Sequence, residues 1–382
     1  MANKNLTNAK RVKNDEFYTQ YGDIEKEIQA YLEYNPNVFR GKVVYCNCDD
    51  PFESNFFRYF ALNFKKLGLK QLITTSYKPS PVANTLLDLI DYDKTLTKSK
   101  GRPKITANKF IINETHDIDG DGEFNLKDVA KQLKANKNNE WTPLEGAGDF
   151  RSEESIDLLK QSDVVVTNPP FSLFREYIKQ LVDYDKKFLI IGNMNAITYK
   201  EVFPLLKENK VWLGNNYKVN AGAMFFEIPE SVANLEQVRE VKTNESGKKV
   251  YITRVQGVRW FTNLDHGRRH EPLQLMTMED NRRFNKQVQK NPNCYKKYDN
   301  YDAIEVPYVN SISSDYDGVM GVPVSFLDKY CPEQFEILGS DYNVKEGLLP
   351  KLVNPEWKGK LDRGYVNNKR LYTRILIRHR KK

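Results

Sequence analysis

The chain has 382 residues, of which 40% are apolar, and it carries a formal net charge of +8. This length favours two domains with a sizeable apolar core, which excludes collagen-like, coiled-coil and mostly disordered proteins. No run approaches the roughly 20 apolar residues that a membrane-spanning helix needs. The N-terminus has no apolar segment of the kind found in signal peptides. We therefore expect a cytoplasmic protein with no membrane partner.

In chain order, short apolar runs of strand length alternate with segments of helical periodicity. Residues 20–34 predict a helix with Thr19 as its N-cap, and residues 41–48 predict a strand that an acidic turn joins to a helix ending at Gly68. The alternation recurs at residues 69–77, 109–114, 163–182 and 187–203. This pattern predicts a mostly parallel α/β sheet, covered on both faces, with ligands beyond the carboxyl ends of its strands.

The rest of the chain has a different character. Strand-like runs at 210–214, 223–229 and 249–264 precede a loop-rich segment, and the polar stretch 231–248 predicts an exposed insertion. We place a boundary near residue 270. This divides the chain into a first domain of residues 1–270 and a second domain of residues 271–382.

Basic residues cluster near this boundary and at the C-terminus. Residues 363–382, here called the basic tail, contain eight Lys or Arg and no acidic residue. Such a run is compatible with a solvated chain end, but its interleaved aromatic residues favour contact with nucleic acid, where Tyr and Arg reach both backbone and bases. The predicted DNA-binding residues are Arg268, Arg269, Arg374, Arg378 and Arg380.

The sharpest motif is Asn168-Pro169-Pro170-Phe171, which follows a buried strand. Two successive prolines remove two backbone donors and fix the loop. The Asn168 side-chain oxygen and the Pro169 carbonyl can then accept both hydrogens of an amino group conjugated to a ring, so that the nitrogen lone pair points at an electrophile. Phe171 is predicted to stack on the ring. The alternative is a proline-rich turn without function.

These motifs resemble the EcoRI DNA adenine methyltransferase family. The similar segments follow one order along the chain: 15–20, 43–51, 148–152, 168–174, 187–193, 259–265 and 323–330. The resemblance implies a Rossmann-like sheet with a C-terminal target-recognition domain, S-adenosylmethionine as methyl donor, and adenine in double-stranded DNA as acceptor. It also suggests a restriction-modification system with a cognate endonuclease, and the family name suggests GAATTC as the recognition sequence.

Three segments are predicted to bind the donor. The first, Phe17 to Thr19, precedes a helix whose free N–H groups are suited to bind a carboxylate. A capped helix with an aromatic staple explains this segment equally well. The second lies in the turn of the family's nucleotide loop, where Ser54 and Phe56 replace the usual glycines. The third resembles the motif that binds the donor adenine, although a glycine-rich turn is the alternative. The predicted residues are Phe17, Tyr18 and Thr19, then Asp49, Asp50 and Pro51, then Asp149 and Phe150.

Residues 117–128 fit a calcium loop, with carboxylates at positions 1, 3 and 5, Gly at position 6 and an acid at position 12. The alternative is an exposed acidic turn, and no metal is expected in the methyl transfer. The four cysteines are too few and too scattered for a disulfide framework. None lies in residues 168–174, which argues against methylation of a cytosine carbon, because that reaction needs a nucleophilic thiol.

Three functions remain open from the sequence. The first is a site-specific adenine-N6 methyltransferase that flips its target base. The second is a methyltransferase for another amino group, in cytosine, RNA or protein glutamine. The third is a noncatalytic DNA-binding protein that no longer holds the donor.

Overall fold

The structure is a computed structural model that describes residues 18–48, 54–76, 107–117, 138–215, 223–228, 238–243 and 249–380, together with residues 128 and 131. The chain divides into two compact units. Unit 1 comprises Met1–Val202 and Leu213–Asp265, and unit 2 comprises Phe203–Trp212 and His266–Lys382. Unit 2 thus includes residues 203–212, which the predicted division placed in the first domain.

Twelve of the described strands are assigned to unit 1. The eighth of them begins at Trp212, the last residue of the segment that belongs to unit 2, and ends at Leu213 in unit 1. The twelve strands are β1 Tyr18–Thr19, β2 Val43–Cys46, β3 Gln71–Thr75, β4 Asn108–Ile112, β5 Glu140–Pro143, β6 Val164–Thr167, β7 Lys187–Asn193, β8 Trp212–Leu213, β9 Ala223–Ile228, β10 Val238–Thr243, β11 Lys249–Gln256 and β12 Val258–Thr262.

Eight of these strands form a mixed sheet in the order β5-β4-β3-β2-β6-β7-β12-β8. The four central strands, β3, β2, β6 and β7, are parallel, as the apolar runs predict. The outer strands differ from the prediction, because β4 and β5 continue antiparallel from β3, and β12 is antiparallel to β7. A second described sheet has the order β1-β9-β11-β10. In it, β10 is a largely exposed strand within the stretch predicted as an insertion.

The described helices of unit 1 flank the central strands. They are α1 Tyr21–Tyr34, α2 Asn55–Leu62, α3 Phe64–Leu67, α4 Glu153–Gln161 and α5 Phe174–Asp183, with 3-10 helices at Phe171–Leu173 and Met194–Thr198. The helix predicted over residues 20–34 is confirmed, and Gly68 ends α3 in the left-handed conformation with φ of 64°. The predicted cap was wrong: Gln20 is the N-cap, and Thr19 belongs to β1, which pairs with β9.

The core of unit 1 lies between the central strands and these helices. Every residue of β2 and β6 is buried, and α1 contributes the fully buried Ile24, Ile28 and Tyr31. Phe56, at a position where many methyltransferases have glycine, packs edge-on against Trp260 with 5.8 Å between ring centroids. The aromatic residue therefore fills the core at this position.

Unit 2 has its own sheet, in the order β13-β14-β18-β15. The strands are β13 Ile304–Glu305, β14 Met320–Pro323, β15 Phe335–Ser340 and β18 Arg374–His379, beside a hairpin of β16 Tyr365–Val366 and β17 Lys369–Arg370. The described helices are α6 Phe203–Lys207, α7 Met278–Phe284, α8 Lys286–Gln289 and α9 Asp341–Lys345, with 3-10 helices at Gly267–His270, Val309–Ser311, Val324–Lys329 and Pro350–Leu352.

The basic tail is therefore not simply a solvated chain end. Its residues 374–379 form β18, which lies between β14 and β15. Ile375, Leu376 and Ile377 are at most 1% exposed. Across the described ranges, no helix has both the length and the apolar character required to cross a bilayer.

Candidate active site

Parallel strands end at one edge of the unit 1 sheet, where β2 leads into Asn47 and β6 leads into Asn168. The adjacent strand β3 leads into Ser76. Side chains that follow adjacent parallel strands come close together at the carboxyl edge of a sheet. This edge holds the predicted catalytic loop, and Gly148 lies against the Ser76 carbonyl there.

The catalytic loop, residues 168–171, presents two oxygen atoms. Asn168 is half-buried, and its side-chain oxygen is buried. The Pro170 carbonyl accepts a hydrogen bond of 3.0 Å from the Leu173 N–H, whereas the Pro169 carbonyl accepts none from any residue in the described ranges. Phe171 is partly buried and packs against the core of unit 1. The Pro169 carbonyl thus retains its capacity to accept a ligand hydrogen.

Close backbone contact fixes the third predicted donor segment, residues 148–152, here called the third motif. Gly148 has φ of +76°, and a Cβ at this position would lie 2.0 Å from the Ser76 carbonyl oxygen, so only glycine fits. Arg151 donates to both carboxylate oxygens of Asp149, at 2.9 and 2.8 Å, and to Glu176 at 2.9 Å. The hydrogen bonds from Arg151 lower the pKa of Asp149. Asp149 therefore stays an ionised acceptor.

Phe150, also in this motif, is only 4% exposed. Its ring packs edge-on against Tyr177, with 5.0 Å between centroids, and the Arg151 guanidinium lies 5.3 Å from its centroid. This packing leaves little of the ring accessible. The predicted contact between Phe150 and the donor adenine stays a prediction.

The other predicted donor residues are only partly described. Phe17, Asp49, Asp50 and Pro51 lie outside the described residues, and for Tyr18 the structure describes the backbone in β1. Thr19 is buried, and its carbonyl accepts a hydrogen bond of 2.8 Å from Asn55. The buried Thr19 hydroxyl oxygen has no hydrogen-bond partner in the described part of the chain. Such an atom is uncommon in proteins and suits a polar ligand atom.

Asn47 and Tyr177, which are not among the predicted site residues, connect the end of β2 with β6 and α5. Asn47 accepts a hydrogen bond from the Tyr177 hydroxyl at its side-chain oxygen and one from the Thr167 hydroxyl at its carbonyl. All three residues are at most 2% exposed. A polar residue between Cys46 and Cys48, at the end of an apolar strand, was the signal available in the sequence.

The structure does not support the calcium prediction. Residues 118–127 of that segment lie outside the described ranges, and Asp128 is fully buried. In the residues that can be described, no group of three or more His, Cys, Asp or Glu side chains is arranged to hold a metal ion.

The predicted DNA-binding residues of unit 2 differ in accessibility. Arg378 and Arg380 are exposed, and Arg378 forms an ion pair of 2.8 Å with Glu336. Arg268 is half-buried. Arg269 is buried, donates to Asn209 and lies 3.6 Å from the Trp212 ring centroid. Arg374 is also buried, and its guanidinium pairs with Glu305 at 2.5 Å. Burial and internal pairing leave Arg269 and Arg374 poorly placed to contact DNA.

An α/β sheet with an Asn-Pro-Pro-Phe loop at its carboxyl edge fits the class that the sequence resembles, the methyltransferases that act on amino groups. The family described as "Adenine-specific methyltransferase EcoRI" matches residues 5–380. The chain is 43% identical over 369 residues to the Type II methyltransferase M.EcoRI of Escherichia coli, covering 97% of this chain and 98% of that protein.

Two further relatives come from mycoplasmas. Identity is 35% over 375 residues to the Type II methyltransferase M.MpnI of Mycoplasma pneumoniae, and 36% over 375 residues to M.MgeORF184P of Mycoplasma genitalium, with 97% of each chain covered in both cases. No solved structure matches significantly. The chain belongs to the EcoRI family of adenine-specific methyltransferases, and it is a DNA adenine methyltransferase of the restriction-modification class.

Family membership confirms the resemblance seen in the sequence and decides among the three functions left open there. It also implies S-adenosylmethionine as the methyl donor. Two features of unit 1 fit such a group: the buried Thr19 hydroxyl oxygen, and the tight turn at Gly148 that presents an ionised Asp149.

Proposed function

We propose that this chain methylates N6 of an adenine that is flipped out of duplex DNA, and that Asn168 and Pro169 orient the reacting amine. The observation that carries this proposal is the pair of oxygen atoms in the catalytic loop. The Asn168 side-chain oxygen is buried at the sheet edge, and the adjacent Pro169 carbonyl accepts no hydrogen bond from a described residue.

The loop residues prepare the amine for direct displacement. The adenine amine is a poor nucleophile because its lone pair is delocalised into the ring. Asn168 and the Pro169 carbonyl each accept one N–H, which favours a tetrahedral nitrogen, and Phe171 stacks on the base. The donor, when bound, supplies an electrophilic sulfonium methyl group. The loop thereby aims the lone pair at that carbon, and no covalent enzyme intermediate is needed.

We assign donor binding to Thr19 and Asp149, together with the predicted residues Phe17, Tyr18, Asp49, Asp50, Pro51 and Phe150. The Thr19 hydroxyl is buried beside the start of α1, where a polar donor atom would satisfy it. Asp149 accepts from the adenine amine of the donor, and the low pKa of its carboxyl keeps it in the accepting form. Calcium is not part of this proposal.

DNA binding is assigned to residues 271–382 as a target-recognition domain, aided by Arg268. Arg378 and Arg380 are the exposed bases proposed to contact phosphates, because both side chains reach solvent. Arg269 and Arg374 are given structural roles instead. A cognate endonuclease and a cytoplasmic location complete the proposal, since a modification enzyme works on the DNA that its endonuclease would otherwise cut.

The decisive test is Asn168→Ala. We expect this variant to bind S-adenosylmethionine and DNA with nearly unchanged affinity and to lose methyl transfer by at least about a hundredfold, because one of the two acceptors is removed. Binding is measured by calorimetry, and N6-methyladenine by mass spectrometry of nucleosides from a duplex that contains GAATTC and from genomic DNA. Undiminished turnover would exclude the proposed role of Asn168.

A further inference from the structure

We propose that Asn47 is a positioning residue, held by Tyr177 and Thr167, that fixes the turn at Cys48, which precedes the predicted donor residues in sequence, relative to the catalytic loop. This inference rests on the proposed function, because it assigns both segments to one reaction. The observation behind it is that Asn47 accepts two buried hydrogen bonds, one from the strand before the catalytic loop and one from the helix after it.

The first bond joins the ends of two strands. β2 and β6 are parallel neighbours, with Val44 opposite Val164. The Thr167 hydroxyl, one residue before Asn168, donates to the Asn47 carbonyl just beyond β2. The predicted donor residues Asp49 and Asp50 follow closely in sequence. This bond therefore links the origin of the catalytic loop to the origin of the donor turn.

The second bond comes from the helix on the other side of the catalytic loop. Tyr177 lies in α5, and its hydroxyl donates to the Asn47 side-chain oxygen. The Tyr177 ring also packs against Phe150, and Gln180 of the same helix donates to the Phe150 carbonyl at 3.1 Å. One helix thus contacts the third motif and the end of β2 while it continues from the catalytic loop.

The turn after Asn47 needs such support. Cys48 has φ of 64°, a left-handed conformation that non-glycine residues adopt rarely. Loss of either bond to Asn47 would let this turn shift relative to Asn168. Small displacements between reacting groups lower rates steeply while leaving most binding contacts intact. A purely structural role would instead lower the unfolding temperature and leave the rate of transfer unchanged well below that temperature.

Tyr177→Phe tests the side-chain bond, because it keeps the ring against Phe150 and removes only the hydroxyl. We expect the single-turnover rate of methyl transfer to fall by about tenfold or more at saturating DNA and S-adenosylmethionine, with donor affinity within about threefold of the parent. Tyr45→Phe is the matched control, since Tyr45 is equally buried in β2 and its hydroxyl lies 3.1 Å from the Thr75 hydroxyl. We expect this control to retain the parental rate.

Thr167 provides a test that does not depend on the folding of Tyr177→Phe. Thr167→Ser keeps the hydroxyl that donates the hydrogen bond, so the rate of methyl transfer should not change. Thr167→Val has nearly the same shape without the hydroxyl, and its rate of methyl transfer should fall by about tenfold. Equal rates for these two variants, or a rate for Tyr177→Phe that matches Tyr45→Phe, would overturn the inference. A fall in the rate of methyl transfer that weaker binding of S-adenosylmethionine fully explains would also overturn it. The proposed function fails separately, if the parent chain produces no N6-methyladenine.

Discussion

The Thr19 hydroxyl is a polar group in the interior of unit 1. Its oxygen is buried, and no described residue hydrogen-bonds to it. A buried hydroxyl without a partner destabilises a protein by about 1–3 kcal/mol relative to one that is satisfied. A ligand that supplies the missing bond removes this destabilisation. Removal of the hydroxyl should therefore stabilise the ligand-free protein and weaken the binding of the methyl donor.

Thr19→Val removes the hydroxyl and nearly preserves the shape of the side chain. We expect the ligand-free protein to unfold at the same temperature or slightly higher, and the affinity for S-adenosylmethionine to fall by about tenfold, the equivalent of one hydrogen bond of roughly 1.4 kcal/mol. Thermal unfolding and calorimetric titration measure the two quantities.

Thr142→Val is the matched control, because Thr142 in β5 also has a buried hydroxyl oxygen without a partner in the described residues. It should reproduce the effect on unfolding without changing donor affinity. Unchanged donor affinity in Thr19→Val would mean that this hydroxyl does not contact the donor.

Single residues also mark where sequence reasoning succeeds and fails. Asn168 could be found because a polar residue and two prolines after an apolar strand form a local pattern. The environment of Thr19 could not, because β1 pairs with Phe226 and Glu227, more than two hundred positions away. The two bonds to Asn47 likewise span 120 and 130 positions. Pairings of this range leave no periodicity in the sequence.

The strand β18 shows how a count of charged residues can mislead. The basic tail contains the apolar run Ile375-Leu376-Ile377, which the structure buries at the centre of the unit 2 sheet. Arg374 accompanies this run into the interior, where Glu305 neutralises it and Asp341 accepts a hydrogen bond of 2.6 Å from its backbone N–H. The apolar triplet was the better guide to structure, and only the exposed bases retain a proposed role in DNA binding.

The buried carboxyl at Asp341 makes the stability of this element depend on pH. Burial raises the pKa of Asp341 to about 6, although Tyr301 donates to it at 2.6 Å. The folded protein therefore holds a proton more tightly than the unfolded chain, so this contribution is complete below about pH 4 and is lost as the pH rises through 6. The full contribution is about 3 kcal/mol, of which we expect roughly 2 kcal/mol to disappear between pH 4 and pH 7.

Urea unfolding of the full chain across that range, compared with Asp341→Asn, isolates this contribution. The unfolding free energy of the parent should fall relative to that of the variant as the pH rises, because Asn does not titrate. Asp302→Asn removes a carboxyl of the same unit that is 71% exposed, and it should not reproduce the change. A parent-to-variant difference that stays constant for Asp341→Asn would contradict the prediction.

The class of fold could be predicted from the sequence more readily than the directions of the strands. Alternating apolar runs and amphipathic segments predicted the parallel centre, β3-β2-β6-β7. The antiparallel strands β4, β5 and β12 were not distinguished, because an apolar run of strand length does not encode direction. Residues 203–212 belong to unit 2, although the chain returns to unit 1 directly after them. Local sequence patterns do not show to which unit such a segment belongs.

The net charge of +8 favours DNA binding in general. The proposal for Arg378 and Arg380 is more specific, because it states that these two side chains contact phosphates. Replacing both with Glu should weaken binding to duplex DNA and reduce the slope of log affinity against log salt by about 0.9 for each phosphate that the protein no longer neutralises. Lys160→Glu with Lys179→Glu lowers the charge equally. These exposed lysines lie in α4 and α5, the helices that lead into the amino ends of the parallel strands β6 and β7, whereas the catalytic loop follows the carboxyl end of β6. Fluorescence anisotropy at several salt concentrations measures both pairs, and equal reductions in affinity would show that only total charge matters.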